Sequence, residues 1–234
     1  RGDILVFLAT ERDIRECCKL LEARIPEAVI LPMFGRLQAA DQKKIFQNFR
    51  LVKIVVATNV AETSLTIDGI TLVVDSGLAR ISRHDANRGI NTLFIEKISA
   101  ASAAQRAGRA GRTAPGVCVR LWTERDHQRR PLRELPEIKR LDLAETILSL
   151  KAAGVGDLKT FRWIEPPDSA ALDRAEFLLR DLGALDAEGA ITGLGRRMLN
   201  FPLHPRYARM LLAAEELGCV RAASLIAAIT HTRS

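Results

Sequence analysis

No apolar stretch in the sequence reaches the ~18 residues that a membrane-spanning helix needs, and no secretory signal pattern opens it. Neither a membrane partner nor an export route is expected. Cysteine is scarce. Residues 17, 18, 118 and 219 form no Cys-x-x-Cys pair and have no histidines at metal spacing beside them, which speaks against a zinc site. Adjacent Cys17 and Cys18 fall in a helical pattern and read as small core residues, so a reducing, cytoplasmic compartment is expected. Internal repeats and low-complexity tracts are missing. So are a Gly-x-x-x-x-Gly-Lys-Ser/Thr phosphate loop and an Asp-Glu pair that could hold magnesium.

What is present fits a globular protein. The length of 234 residues favours two compact units, and 47% hydrophobic residues suffice for real cores. Lys plus Arg outnumber Asp plus Glu by 35 to 28, a balance expected of a nucleic-acid binder but insufficient without a site. Arg1-Gly2 runs at once into an apolar strand pattern, and the chain is expected to be a piece of something longer.

The first half alternates strand and helix patterns. Residues 3–9, 29–33, 53–58 and 71–75 are short Val/Ile-rich or apolar runs. Ile14, Cys17, Leu21 and Ile25 repeat with helical spacing after a capping signature at Thr10, and residues 39–49 form a second helix candidate. Such alternation predicts a parallel sheet covered on both faces, with ligands gathered beyond the carboxyl ends of its strands. Residues 79–98 lack helical period and carry Arg80, Arg83, Arg88 and Lys97, as either a projecting basic hairpin or a solvated loop. Residues 124–140 are dense in charge and contain Pro131 and Pro136, which suits a linker. Beyond it, Asp142 opens a helix with Glu145 as reciprocal cap. A second helix carries Leu172, Ala175, Leu179 and Leu182, and a small hairpin spans residues 184–192, together a winged-helix pattern. Two more helices, 206–217 and 220–228, begin a bundle.

Two constellations carry chemistry. In Gln105-Arg106-Ala107-Gly108-Arg109-Ala110-Gly111-Arg112, a helix beginning near Ser99 would set Gln105, Arg109 and Arg112 on one face, at i, i+4 and i+7, with Arg106 pointing elsewhere. Each glycine would cost a helix interior ~1 kcal/mol relative to alanine, which close approach by another backbone or a ligand would explain. Convergent guanidinium groups suit an anion with several oxygens, above all a triphosphate tail. The second constellation, Thr58-Asn59-Val60-Ala61-Glu62-Thr63-Ser64-Leu65-Thr66-Ile67-Asp68, follows a Val-rich strand. Its hydroxyls and amide can hold phosphate oxygens, and a carboxylate can hold a ribose hydroxyl. Asn59 and Glu62 also have capping-box spacing, which alone would account for both.

These two stretches resemble motifs V and VI of the DEAH-box helicases of superfamily 2, with the bacterial DEAH/RHA RNA helicases the closest likeness. Leu5-Val6-Phe7-Leu8-Ala9-Thr10 resembles the family's motif IV, although Ala9-Thr10 stands where the family often has Pro-Gly. Pro32-Met33-Phe34-Gly35-Arg36-Leu37 fits the segment after it. The resemblance is dense over residues 3–122 and looser beyond. It implies that Arg109 and Arg112 are arginine fingers reaching a γ-phosphate held by another lobe, with Gln105 near the attacking water. By the same likeness Thr66 and Asp68 lie on the nucleotide's ribose side, and Phe46 stacks on the adenine, unless it is a core residue of its helix. Thr58 and Asn59 would grip RNA phosphates, helped by Arg36, and residues 79–98 would be a strand-separating hairpin.

The implied architecture is a RecA-like α/β domain over residues 1–122, a linker over 123–135, a mostly helical winged helix over 136–202, and the start of a helical bundle over 203–234. The implied cofactors are ATP and Mg²⁺, the metal held mainly by a first RecA-like lobe of the same parent chain. The other expected partner is single-stranded RNA or an RNA duplex. This piece alone is expected not to hydrolyse ATP. Two rivals stay open: a DNA helicase of the same superfamily, and a non-catalytic winged-helix regulator.

Overall fold

Five short runs become the strands of one sheet; the inner strands offer alternating side chains to two covered faces, whereas the fifth, at the edge, stays largely exposed. In the computed structural model, which describes residues 2–63, 66–85, 89–112 and 115–231, the first half reads β1 (Asp3–Phe7), α1 (Glu11–Arg24), β2 (Ala28–Met33), α2 (Ala39–Lys44), β3 (Val52–Ala57), α3 (Val60–Thr63) and β4 (Ile70–Asp75). The hairpin β5 (Leu78–Asp85) and β6 (Ile90–Lys97) follows, then α4 (Ala100–Ala107), β7 (Val117–Arg120) and α5 (Glu124–Gln128). Ser64, Asn87 and Arg88, singled out in the sequence, lie outside the described residues.

The sheet order is β2-β3-β1-β4-β7 with every pairing parallel, as the βα alternation predicts. Strand β3 shows why it is covered on both sides: Ile54 and Val56 enter one core with Ile14, Cys18 and Phe34, while Val55 and Ala57 enter another with Leu5, Phe7, Ile45 and Val73. A fully buried Val or Ile contributes about 1.5–3 kcal/mol, so these few positions dominate the sheet's stability. Cys18 belongs to this core, and burial, followed by the charges of Cys17 and Glu22, pushes its thiol up to about 11 against the pull of Arg15.

Helix α2 stops at Lys44 rather than near residue 49. The cause is Lys53, a buried cation at the start of β3. Its Nζ donates to the carbonyls of Ile45 at 2.9 Å and Gln47 at 3.3 Å and pairs with Asp3 at 3.3 Å. A lysine ammonium thus satisfies carbonyls left open by the helix end.

The chain divides into two compact units, Arg1–Ile81 with Phe94–Glu134, and Ser82–Leu93 with Leu135–Ser234. This corrects the expectation of a linker over residues 123–135, most of which packs in the first unit. Thr123 caps α5, accepting from the Asp126 amide at 3.1 Å. Arg130 is buried against Trp122, 4.2 Å from its ring, and donates to the carbonyls of Gly77 and Ile98 at 2.9 and 2.8 Å. Gly77 has φ +72°, and a Cβ there would lie 2.6 Å from Trp122, so no other residue fits. The carbonyls of Pro131 and Leu132 then accept from the amides of Ala100 and Ala101, and Glu134 accepts from Ser99 at 2.8 Å. The charge density that suited a linker instead serves α4, whose amino end favours the Glu134 carboxylate.

The second unit contains a 3₁₀ turn at Glu137–Lys139, α6 (Ala144–Ala152), α7 (Ser169–Asp181), α8 (Gly193–Met198), α9 (Pro205–Glu216) and α10 (Val220–His231). Its core joins Ile147, Leu148, Leu172, Leu179, Leu185, Met198 and Leu212. The expected hairpin at 184–192 is reduced to one antiparallel bridge, Leu185↔Ile191. Helix α8, unforeseen in the sequence, is capped by Thr192, and a Cβ on Gly195 would come within 2.3 Å of the Ala184 carbonyl. Asp142 does accept from the Ala144 amide at 2.8 Å, but its carboxylate also takes His204 at 3.1 Å. No helix among the described residues is long and apolar enough to cross a membrane.

Candidate functional site

Helix α4 forms because Ser99 caps it, accepting from Ser102 at 3.2 Å, and because five of its eight residues are alanine. It ends sooner than the sequence suggested. Ala107 is its last residue and Gly108 its C-cap, so Gly108 and Gly111 carry no helix-interior cost, and Arg109 and Arg112 leave from the turn that follows. Close approach within this chain is not their reason either. A Cβ on Gly111 meets nothing within 4 Å, and one on Gly108 meets only carbonyls of its own preceding turn at 3.4 Å. The tight glycine is Gly116, whose Cβ would fall 2.1 Å from the Ala110 carbonyl.

Arg106, set aside in the sequence as pointing elsewhere, is the keystone. Its side chain is fully buried. Nε donates to Glu62 at 2.9 Å, and Nη1 to Asp75 at 2.9 Å and to the Leu78 carbonyl at 3.2 Å, with the guanidinium 4.7 Å from the Phe7 ring centroid. Phe7 and Asp75 end β1 and β4, neighbours in register. The chain leaves β1 toward β2 on one side of the sheet and leaves β4 toward β7 on the other, so this is the crevice where strand order reverses. Arg106 fills it. Two carboxylates beside buried strand ends were the sequence signal that a cation had to lie there.

The same connection, residues 58–69, receives the other two arginines. Arg109 donates through Nη2 to the Glu62 carbonyl, and Arg112 through Nη1 to Thr66 Oγ1 at 2.8 Å. Burial, then the like charge of Arg112, lower the proton affinity of Arg109, against the opposing pull of Glu62. Two guanidinium groups are therefore close enough to repel each other, and Arg112 is exposed. Such a pair suits a multiply charged anion, and in this respect the residues present fit a triphosphate. Gln105 is exposed on the last turn of α4.

The remaining candidates separate into two groups. Thr58, half-buried, and Asn59 and Arg36, both exposed, follow the carboxyl ends of β3 and β2. The carbonyls of Thr58 and Asn59 accept from Ala61 and Glu62, opening the single turn of α3. Glu62, a capping partner for Asn59 in the sequence reading, gives its carboxylate to Arg106. Asp68, by contrast, lies two residues before β4, beside Gly69, whose carbonyl accepts from Asp3 at the amino end of β1. The expectation that this whole connection crowds the carboxyl edge is thus corrected: it crosses the sheet. Phe46 lies near the amino edge too, next to Ile45, whose carbonyl takes Lys53. Phe46 is 50% exposed whereas Ile45 is fully buried, so Ile45 is the core residue of that turn and Phe46 is not. Among the described residues no three of His, Cys, Asp and Glu cluster to hold a metal ion.

Residues 1–114 match the family model described as helicase conserved C-terminal domain. Residues 175–203 match the winged-helix part, and 204–234 the ratchet-like part, of the helicase associated domain HA2. The chain is 43% identical over 231 residues to the ATP-dependent RNA helicase HrpA of Escherichia coli, covering 96% of this chain and 18% of that protein. It is 45% identical over 228 residues to the pre-mRNA-splicing factor ATP-dependent RNA helicase prp22 of Schizosaccharomyces pombe, covering 93% and 20%. The crystal structure of the Escherichia coli DEAH/RHA helicase HrpB superposes with a TM-score of 0.89 at 36% identity, covering 99% of this chain and 30% of that one. This chain spans about a fifth of the length of these curated relatives.

Proposed function

Because this chain belongs to the DEAH-box helicases of superfamily 2, we propose that it supplies the second motor lobe and part of the helicase-associated region of an ATP-dependent RNA helicase of the cytoplasm. Residues 1–122 form the motor lobe, 136–202 the winged helix and 203–234 the opening of the ratchet bundle. A first RecA-like lobe brings the phosphate loop, and the two lobes enclose ATP between them.

The observation that carries this reading is the pair Arg109 and Arg112, each bonded to the connection over residues 58–69 and close enough for their charges to repel. On closure the two guanidiniums exchange Glu62 and Thr66 for oxygens of the γ-phosphate, and Gln105 orients the water that attacks it. A hydrogen bond to a charged group is worth about 1.5–3 kcal/mol, enough to help hold a finger ready before closure. Phe46 stacks on the adenine, while Thr66 and Asp68 face the ribose. Magnesium accompanies ATP in this chemistry, but the described residues offer no cluster to hold it, and no step here depends on it.

Coupling to RNA follows from how short the path is. Thr58 and Asn59 precede the one-turn helix α3, and Glu62 within it binds Arg106 through its carboxylate and Arg109 through its carbonyl. Whatever shifts the fingers therefore shifts the residues that grip the RNA backbone, and successive closures advance the strand.

The test is a titration of this chain with fluorescent single-stranded RNA, single-stranded DNA and duplex DNA, alongside ATP turnover. Preference for single-stranded RNA without ATP hydrolysis by the isolated chain is expected. Equal affinity for single-stranded DNA would favour a DNA motor, and tight, sequence-selective duplex binding would replace the motor with a regulator.

A further inference from the structure

The hairpin β5–β6 is shared between the two compact units. Its base, residues 78–81 and 94–97, goes with the first, and its tip, residues 82–93, with the second. The two ends are held by different chemistry. At the base, Ala79 and Ile81 share an apolar cluster with Ile98, Ala103 and Trp122. Buried Arg130 and Arg106 donate there to the carbonyls of Gly77 and Leu78. At the tip, none of the described residues from 82 to 93 joins the core of the second unit. A cavity of about 330 Å³ remains instead among Ile90, Leu93, Glu145, Pro202 and Tyr207. Apolar burial fixes the base, and the tip is left to polar bonds.

Those bonds converge on the short segment before α6. The His84 amide donates to the Arg140 carbonyl at 2.7 Å, and the Arg140 guanidinium donates to the Ser82 carbonyl. The Asp142 amide donates to Asn91 Oδ1 at 2.7 Å, so the segment is bonded to both strands of the tip. The Asp142 carboxylate, 12% exposed, also joins the helices: it takes His204 at the start of α9 at 3.1 Å and the Ala144 amide of α6 at 2.8 Å. On its other side His84 Nδ1 lies 3.7 Å away, beyond hydrogen-bond range and with no other hydrogen-bond partner among the described residues. One side chain thus stands between tip, α6 and α9. Bonds of this kind set a geometry while each contributes little, which suits a contact that is made and broken.

We propose that residues 140–142 form a releasable latch, with Asp142 as its positioning residue. Closed, the latch carries the hairpin tip with the helicase-associated unit; released, the tip follows its own base. Bending then falls where the strands pass from one unit to the other, at residues 81–82 and 93–94.

Native-state hydrogen exchange on the whole chain, read by mass spectrometry, tests the latch. Asn91→Ala removes the acceptor that the tip offers to the Asp142 amide and leaves the caps of both helices in place. Exchange at residues 82–85 and 90–93 quickens by about 2- to 10-fold, the effect of one neutral hydrogen bond, while α6, α9 and the hairpin base keep their rates. Asp142→Ala quickens the tip by roughly 10- to 150-fold, and α6 and α9 with it, because their caps are lost too. Wild-type rates at the tip in both variants overturn the latch. So does equal acceleration of tip and base in Asn91→Ala, which would make the hairpin one body. A second arm rests on the helicase reading and uses a protein carrying both motor lobes. There Asn91→Ala keeps RNA-stimulated ATP turnover and loses duplex unwinding per ATP consumed; loss of both together, or of neither, overturns the latch as a working part. Absence of RNA-stimulated turnover in the wild-type protein would sink the helicase reading and leave the exchange rates to decide the latch.

Discussion

Replacing Arg106 by alanine removes a guanidinium with no exposed surface that serves Glu62, Asp75, the Leu78 carbonyl and the Phe7 ring together. Asp75 is itself fully buried and, among the described residues, would keep only the Gly77 amide, at 2.8 Å, on one of its oxygens. Breaking one side of a buried ion pair costs about 3–5 kcal/mol, because the remaining charge is left uncompensated. Loss of the cation over Phe7 adds ~0.5–2 kcal/mol. One oxygen of Asp75 and one nitrogen of Arg106 already lack partners among the described residues, which argues for the lower half of that total. At ~2–4 °C per kcal/mol for a chain of this size, the melting temperature should fall by roughly 7–21 °C. Lysine should not rescue it, since an ammonium cannot fork to two carboxylates and stack on a ring. Arg109→Ala and Arg112→Ala should melt within ~2 °C of the wild type, because neither side chain is buried as that of Arg106 is. Thermal circular dichroism of the three variants decides the matter. An Arg106→Ala chain that melts with the wild type would refute the argument that this arginine holds the sheet's crevice together.

Two further predictions follow from single side chains. Burial would raise the Asp142 carboxyl, but the His204 hydrogen bond, the Ala144 amide and the charges of His204 and His84 outweigh it and hold it below the ordinary 3.8. Its stabilising contribution is therefore present above 3.8 and drains away as pH falls through the lower folded value, so Asp142→Asn should lose stability at neutral pH and show a shallower acid limb in melts against pH. Phe46→Ala, at a half-exposed position outside the core, should leave melting unchanged and raise KM for ATP in a protein carrying both motor lobes; an unchanged KM would remove Phe46 from the nucleotide site.

Much of the first unit was legible because its rules are local. The continuous apolar run Ile54 through Ala57, the Thr10 cap and the start of α4 at Ser99 all act within a few residues. Helix phasing failed at Gly108 because a C-cap depends on what the next turn can bond, and here Arg109 and Arg112 are drawn to residues more than forty positions earlier. The role of Arg106 was hidden for the same reason: Glu62 and Asp75 reach it only once β4 and α4 are in place. Composition misled at residues 123–135, where Arg130 and Glu134 satisfy buried carbonyls and a helix amide. Arg112 and Thr66 meet through a hydrogen bond at 2.8 Å across forty-six positions, a contact that the spacing within either motif does not dictate.

The most direct test is RNA-stimulated ATP turnover by a protein carrying both motor lobes, with Arg109→Ala and Arg112→Ala measured separately. Each should lower turnover by about 10³- to 10⁵-fold, as removal of an arginine finger does, while melting stays as in the wild type. Wild-type turnover in either variant would contradict the claim that these two guanidiniums complete a nucleotide site on the facing lobe.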